Sequence, residues 1–110
     1  NWFRQDDDGK FLWPGFGENL RVLRWILERC EDRAEAIETP IGYLPRPSDI
    51  DTNGLDIDAD TMQSLLNVDV SRWQEEMDSV GEYLESYGDR LPAVLRQEYQ
   101  EVVEDLKKAS

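Results

Sequence analysis

The sequence predicts a mainly helical α+β fold, in which an aromatic loop and short strands precede about four helices. Two observations predict this fold. Glycine and proline interrupt an aromatic-rich stretch at the start of the chain, and from residue 18 onward apolar residues recur mostly at helical spacing. The chain has 110 residues, 39% of them hydrophobic, which is enough for one modest core.

Residues 1–19 are predicted to form the aromatic loop. They hold all three phenylalanines and two of the four tryptophans, and their glycines and proline prevent a long helix or strand. We expect the end of a strand at Trp2–Phe3, a turn through residues 6–9, a short extended piece at residues 10–13, and a glycine turn that leads into a helix.

Residues 20–47 are predicted to form one helix, ending near Arg33, and an extended segment. In the stretch 37–44, Pro40 and Gly42 interrupt β-branched and aromatic residues, which favours an edge strand or an extended connection over a central strand. The helix is expected to bury one apolar face, formed by Leu20, Leu23, Leu27 and Cys30 and widened by Val22, Trp25 and Ile26.

The remainder is predicted to be an acidic loop at residues 48–60 and C-terminal helices at residues 61–110. Asp60 is expected to cap a short helix, and Ser71 with Gln74 fits a capping box for the next one. The last two helices should form an antiparallel hairpin. Their predicted buried faces are Trp73, Met77, Val80, Leu84 and Tyr87 on one helix, and Leu95, Tyr99, Val102 and Leu106 on the other.

Charge and composition exclude several classes of function. The formal net charge of −13 opposes binding to nucleic acids and to anionic membranes, so neither is predicted as a partner. The absence of histidine excludes serine or cysteine catalysis through an imidazole base, and no catalytic or metal-ligating residue is predicted. The single cysteine and the lack of a long apolar run predict a soluble, cytoplasmic protein. Because the chain begins at Asn1 in mid-pattern, we expect it to be a piece of a longer protein.

The aromatic loop suits a flat ligand such as a purine. Phe11 and Phe16 are candidates for two walls that stack on its faces, and the Asn19 carboxamide offers both an acceptor and donors to its edge. The same residues also fit a different interpretation, which spacing alone favours. In that interpretation the phenylalanines and Trp13 form a small hydrophobic cluster under a loop, and Asn19 is a helix N-cap.

Two further functions are alternatives at this point. Residues 49–54 match the first six positions of a calcium-binding loop, with Asp60 at the twelfth, where a glutamate is expected. Asp56 at the eighth position and the prolines at 45 and 47 do not fit that loop, and Asx-turns with a helix cap explain the same residues. The acidic helix faces would also suit a noncatalytic interaction module, although such faces are usually solvated.

The residues themselves resemble a known family. Residues 1–4 read Asn-Trp-Phe-Arg, residues 9–19 read Gly-Lys-Phe-Leu-Trp-Pro-Gly-Phe-Gly-Glu-Asn, and residues 38–45 read Glu-Thr-Pro-Ile-Gly-Tyr-Leu-Pro. With Arg21-Val22-Leu23, Trp25 and the stretch 68–73, these runs closely resemble the C-terminal region of GTP-dependent phosphoenolpyruvate carboxykinases. The resemblance covers most of the chain and implies a part of a larger nucleotide-binding domain.

This resemblance carries expectations about function. The family converts oxaloacetate and GTP to phosphoenolpyruvate, carbon dioxide and GDP with Mn²⁺ or Mg²⁺. Its guanine pocket carries over by motif onto Phe3, Phe11, Phe16 and Asn19, with backbone amides near Phe16 also reading the base. The phosphate loop, metal ligands and substrate-binding arginines of the family match nothing in this chain. We therefore expect the metal to bind outside it, the rest of the polypeptide to be its partner, and the isolated chain to be inactive.

Overall fold

The computed structural model describes residues 1–110 and confirms the predicted mainly helical α+β class. It contains four α-helices and one two-stranded hairpin. They are α1 (Asn19–Cys30), β1 (Ile37–Thr39), β2 (Gly42–Leu44), α2 (Ala59–Leu66), α3 (Val70–Glu85) and α4 (Ala93–Lys108). The chain divides into two compact units, one made of residues 1–38 and 43–67 and the other of residues 39–42 and 68–110. Helix α2 lies in the first unit.

The first residues form a narrow antiparallel turn. The Leu12 amide donates to the Arg4 carbonyl at 2.9 Å, and the Asp6 amide donates to the Lys10 carbonyl at 2.9 Å. The carboxylate of Asp6 accepts from the backbone amide of Lys10, which closes the turn. The extended pairing is therefore at Gln5 and not at Trp2–Phe3, where the sequence predicted the end of a strand.

Helix α1 is shorter than predicted, and only part of its predicted apolar face is buried. It ends at Cys30, and Trp25 is its buried residue. The centre of its predicted apolar face is exposed, including Leu20, Leu27 and Cys30, whereas Val22 and Trp25 from the edge of that face contact the core. An amphipathic pattern marks a face that can be covered, but it does not say which neighbours cover it. Within this chain only the edge of the face that carries Trp25 is covered.

The core of the first unit forms between distant parts of the sequence. Trp13, Trp25, Ile50 and Met62 are each at most 7% exposed and make up its centre. Arg21 reinforces this packing, because it pairs with Glu18 at 2.7 Å and donates to the carbonyl of Asp51 at 2.8 Å. The aromatic loop, α1 and the acidic loop thereby share one core.

The segment after α1 folds into a hairpin and not into a single extended strand. Pro40 and Ile41 form the turn between β1 and β2, since the fixed φ of proline suits a turn position. The Thr39 hydroxyl donates to the Gly42 carbonyl at 2.6 Å across that turn. Pro40, which was expected to interrupt a strand, therefore lies in the turn that connects two short strands.

Helix α2 is capped by Asp58 and not by Asp60, which lies in the first turn. The Asp58 carboxylate accepts from the backbone amide of Thr61 at 2.7 Å. Hydrogen bonding from the Thr61 side chain, and after it from the Thr61 backbone amide, favours the ionised form and lowers the pKa of Asp58 below its usual value. The charge also lies at the positive end of the helix dipole.

Because that pKa is lowered by folding, the stabilising contribution of Asp58 is present above its usual pKa of 3.8 and is lost as the pH falls through the folded-state value. We expect Asp58→Asn, which keeps a good N-cap without the charge, to lose less stability than the wild type between about pH 6 and pH 2. Urea unfolding followed by circular dichroism measures this difference. Asp58→Ala, which removes the cap, should be less stable at every pH, and identical acid dependence in all three proteins would contradict the assignment.

The second unit contains the predicted antiparallel helical hairpin. Gln74 near the start of α3 donates to the carbonyl of Leu106 near the end of α4, and Gly81 faces Tyr99. A β-carbon at position 81 would lie 2.4 Å from the Tyr99 hydroxyl, so glycine permits this close approach. Met77 and Leu106 are buried as predicted.

Other parts of the hairpin prediction are wrong. Asp69 is the N-cap of α3, because its carboxylate accepts from the amide of Arg72, and Ser71 already lies inside the helix. Tyr87, just after α3, and Leu95, in the first turn of α4, are predicted on the buried faces but are exposed. The helices lack the length and the apolar character that a membrane-spanning helix needs.

Candidate functional site

The first unit contains a cleft of about 680 Å³ between the aromatic loop and the segment that leads into α2. All four residues predicted for the site, Phe3, Phe11, Phe16 and Asn19, line it. The other lining residues are Trp2, Asp6, Lys10, Leu12, Trp13, Pro14, Gly15, Asp56, Ile57, Asp58 and Thr61. Aromatic walls with a few polar groups are typical of small-molecule sites.

The three phenylalanine rings are exposed. Phe16 is 91% exposed, Phe3 is 77% exposed and Phe11 is 52% exposed, whereas Trp13 is 4% exposed. Trp13 is therefore buried, as the hydrophobic-cluster interpretation predicted, whereas the phenylalanine rings are not buried. Three exposed rings around one cleft are available to a ligand.

The rings of Phe3 and Phe11 pack edge to face. Their centroids are 6.3 Å apart and their planes meet at 73°. A flat ligand sandwiched between two rings needs nearly parallel faces, so these two rings are not its opposite walls. The arrangement leaves Phe16 as the candidate for the wall opposite the pair.

Phe16 is held out by the backbone before α1. Gly15 adopts φ of 135°, a value that favours glycine, and a single 3₁₀ turn at Phe16–Glu18 follows. No side chain caps this turn. The first backbone amides of such a turn have no acceptor within it, so they can donate to a ligand.

Asn19 has a specific partner that the sequence did not indicate. Its Oδ1 atom accepts a hydrogen bond of 2.9 Å from the indole Nε1 of Trp13. Asn19 is the first residue of α1, and Glu18 occupies the N-cap position. The alternative role of Asn19 as the N-cap is therefore wrong.

Charged side chains give the cleft a net negative lining. Three carboxylates, from Asp6, Asp56 and Asp58, line it with one ammonium group, from Lys10. Such a lining opposes an anion and accepts a neutral ligand that carries N–H donors.

Two carboxylates of the acidic loop accept local backbone hydrogen bonds. The Asp49 carboxylate accepts from the backbone amide of Arg46, and that of Asp51 accepts from the amide of Asn53. These are the local turns that the alternative interpretation expected. The structure contains no group of three or more histidine, cysteine, aspartate or glutamate side chains that could hold a metal ion.

The sequence did not reveal the wall formed by residues 56–58 and Thr61. These residues follow the predicted site by about 40 positions, and no motif links them to the aromatic loop. The helix cap at Asp58 could have been found, because aspartate precedes an apolar helical stretch there. Its place in the cleft depends on the core packing of Ile50 and Met62.

The fold places three exposed aromatic rings and one carboxamide around a single cleft. The family model of the phosphoenolpyruvate carboxykinase C-terminal P-loop domain matches residues 1–105. The chain belongs to the GTP-dependent phosphoenolpyruvate carboxykinase family, as its resemblance predicted.

Several curated relatives support this membership. The chain is 46% identical to phosphoenolpyruvate carboxykinase (GTP) of Paenarthrobacter aurescens over 89% of its length. It is 44% identical to the protein of that name from Chlamydia pneumoniae over 98% of its length, and 41% identical to that of Anaeromyxobacter dehalogenans over 99%. It spans only 16–18% of the length of these relatives.

Proposed function

We propose that this chain is the guanine-recognition segment of a GTP-dependent phosphoenolpyruvate carboxykinase. In this proposal the base lies against Phe16 on one face and against the Phe3 and Phe11 pair on the other. The Asn19 carboxamide and the backbone amides near Phe16 read its edge. The observation that carries the proposal is the exposure of three phenylalanine rings around one cleft that Asn19 also lines.

Stacking supports this assignment energetically. Each contact between a base and an aromatic ring contributes about 1–3 kcal/mol. Exposed rings lose solvent-accessible apolar area when a base covers them, so binding also gains from the hydrophobic effect. The rings need no rearrangement of the core to reach a ligand, since they already lie outside it.

The charge of the cleft favours the base over the phosphates. The carboxylates that line it would repel a triphosphate, whereas guanine is neutral and presents N–H donors. The phosphates should therefore extend toward the remainder of the polypeptide. The isolated chain is accordingly expected to bind GTP weakly and to be inactive.

Catalysis belongs to the rest of the enzyme in this proposal. The reaction is the conversion of oxaloacetate and GTP to phosphoenolpyruvate, carbon dioxide and GDP, with Mn²⁺ or Mg²⁺. The donor groups of this chain do not fit a site for that metal, because no cluster of potential ligands is present. The cytoplasm is the location we propose for the enzyme. The acidic interaction module has only exposed acidic side chains in its favour, which are ordinary for helices.

Titration of the full-length protein with GTP and ATP tests the proposal. We expect the double variant Phe11→Ala/Asn19→Ala to bind GTP more weakly, and its preference for GTP over ATP to fall by about tenfold or more. Adenine presents an amino group where guanine has O6, so groups arranged for guanine are left unpaired by ATP.

Tyr43→Ala provides the control, because Tyr43 is also an exposed aromatic residue and does not line the cleft. That variant should keep both the affinity and the preference. An unchanged preference in the double variant would remove Phe11 and Asn19 from base recognition and would reject the proposal.

A further inference from the structure

The hydrogen bond between Trp13 and Asn19 joins a buried side chain to a cleft side chain. The Trp13 indole is 4% exposed and belongs to the core, so its Nε1 atom is held in place by packing. That atom donates to Oδ1 of Asn19 at 2.9 Å. We propose that Trp13 is a positioning residue that sets the orientation of the Asn19 carboxamide and thereby the preference for guanine. The inference rests on the proposed function.

A carboxamide has two orientations of nearly equal shape. Rotation by 180° exchanges its oxygen acceptor with its two N–H donors. With Oδ1 facing Trp13 the hydrogen bond forms, whereas the rotated side chain would bring the donors of Nδ2 against the indole N–H. That contact would leave the buried indole N–H without an acceptor, which costs about 1–3 kcal/mol. Trp13 therefore selects one orientation.

The orientation of Asn19 decides which purine edge it matches. Guanine presents an acceptor at O6 beside donors at N1 and the 2-amino group, while adenine presents a donor at its 6-amino group beside an acceptor at N1. The two orders of donor and acceptor are opposite at these positions. A carboxamide that can rotate can serve either base. With Oδ1 held by Trp13, the Nδ2 donors are left for the base, and at the 6-position they match the O6 acceptor of guanine and not the amino group of adenine.

The other buried tryptophan of the same core provides a matched control. Trp25 is 7% exposed, and its Nε1 atom donates to the backbone carbonyl of Glu35 at 3.3 Å. Replacement of either tryptophan with phenylalanine removes a buried indole N–H from the same core. Only the change at Trp13 removes the partner of Asn19.

The test compares Trp13→Phe, Trp25→Phe and Asn19→Ala in the full-length protein by titration with GTP and with ATP. We expect Trp13→Phe to lower the ratio of GTP affinity to ATP affinity by about tenfold. Trp25→Phe should leave this ratio unchanged even where it lowers the melting temperature. Asn19→Ala should lower the ratio at least as much as Trp13→Phe.

A second variant addresses the risk that Trp13→Phe disturbs the core. Incorporation of 3-benzothienylalanine at position 13 keeps the size of the indole and replaces its N–H with sulfur. The same fall in the ratio is expected. An unchanged ratio in this variant, or equal falls for Trp13→Phe and Trp25→Phe, would overturn the positioning role while leaving Asn19 as a base contact. If Asn19→Ala leaves the ratio unchanged, the proposed reading of the base by Asn19 fails as well.

Discussion

Replacement of Phe16 with alanine is expected to weaken GTP binding to the full-length protein by about 5- to 150-fold. The Phe16 ring is 91% exposed, so it contributes little to the folded core, and stacking on a bound base is the contact it would lose. The melting temperature without nucleotide should therefore stay close to that of the wild type. Isothermal titration calorimetry with GTP measures the change in affinity.

Two variants separate stacking from other effects at this position. Phe16→Tyr keeps an aromatic face and should retain most of the affinity. Tyr83→Ala removes an exposed ring that does not line the cleft and should bind GTP as the wild type does. Wild-type affinity in Phe16→Ala would show that this ring is not a wall of the base site.

The change Trp25→Ala is expected to lower the free energy of unfolding by about 3–5 kcal/mol. The indole fills the centre of the first core and donates a hydrogen bond to the carbonyl of Glu35. Its removal leaves a cavity and an unpaired carbonyl, and the surrounding side chains of Ile50 and Met62 relax only partly. Urea unfolding of the 110-residue chain, followed by circular dichroism, measures the loss.

Leu27→Ala is the matched change on the same helix. Leu27 belongs to the apolar face that the sequence predicted as buried, but it is 63% exposed. In the 110-residue chain this change should alter stability by no more than about 0.5 kcal/mol. An equal loss for Trp25→Ala and Leu27→Ala would contradict the packing of α1.

Local signals were sufficient for most of the secondary structure. Apolar residues at helical spacing predicted α3 and α4, and their hairpin follows from a short connection. The errors concern caps and faces. The N-cap of α2 is Asp58, where the sequence predicted Asp60, and the N-cap of α3 is Asp69, where it predicted Ser71. Each helix start has several side-chain acceptors within two residues, and the backbone conformation allows only one of them to cap the helix.

The candidate site was predictable only where it is continuous in sequence. Phe11, Phe16 and Asn19 lie within nine residues, so a flat ligand with a polar edge could be inferred from their chemistry. Asp56 and Asp58 on the opposite wall come from a distant loop. The hydrogen bond between Trp13 and Asn19 was not predicted either. The sequence shows a tryptophan at position 13, but it does not show which acceptor its indole N–H binds.

The sequence by itself determined the helical class, the family and the aromatic composition of the loop, because these depend on residue type and short-range spacing. Only the tertiary structure decided that Trp13 turns into the core while three phenylalanine rings stay in solvent. The physical reason is competition for a limited apolar interior, in which Trp25, Ile50 and Met62 from separate segments leave room for one large ring of the loop.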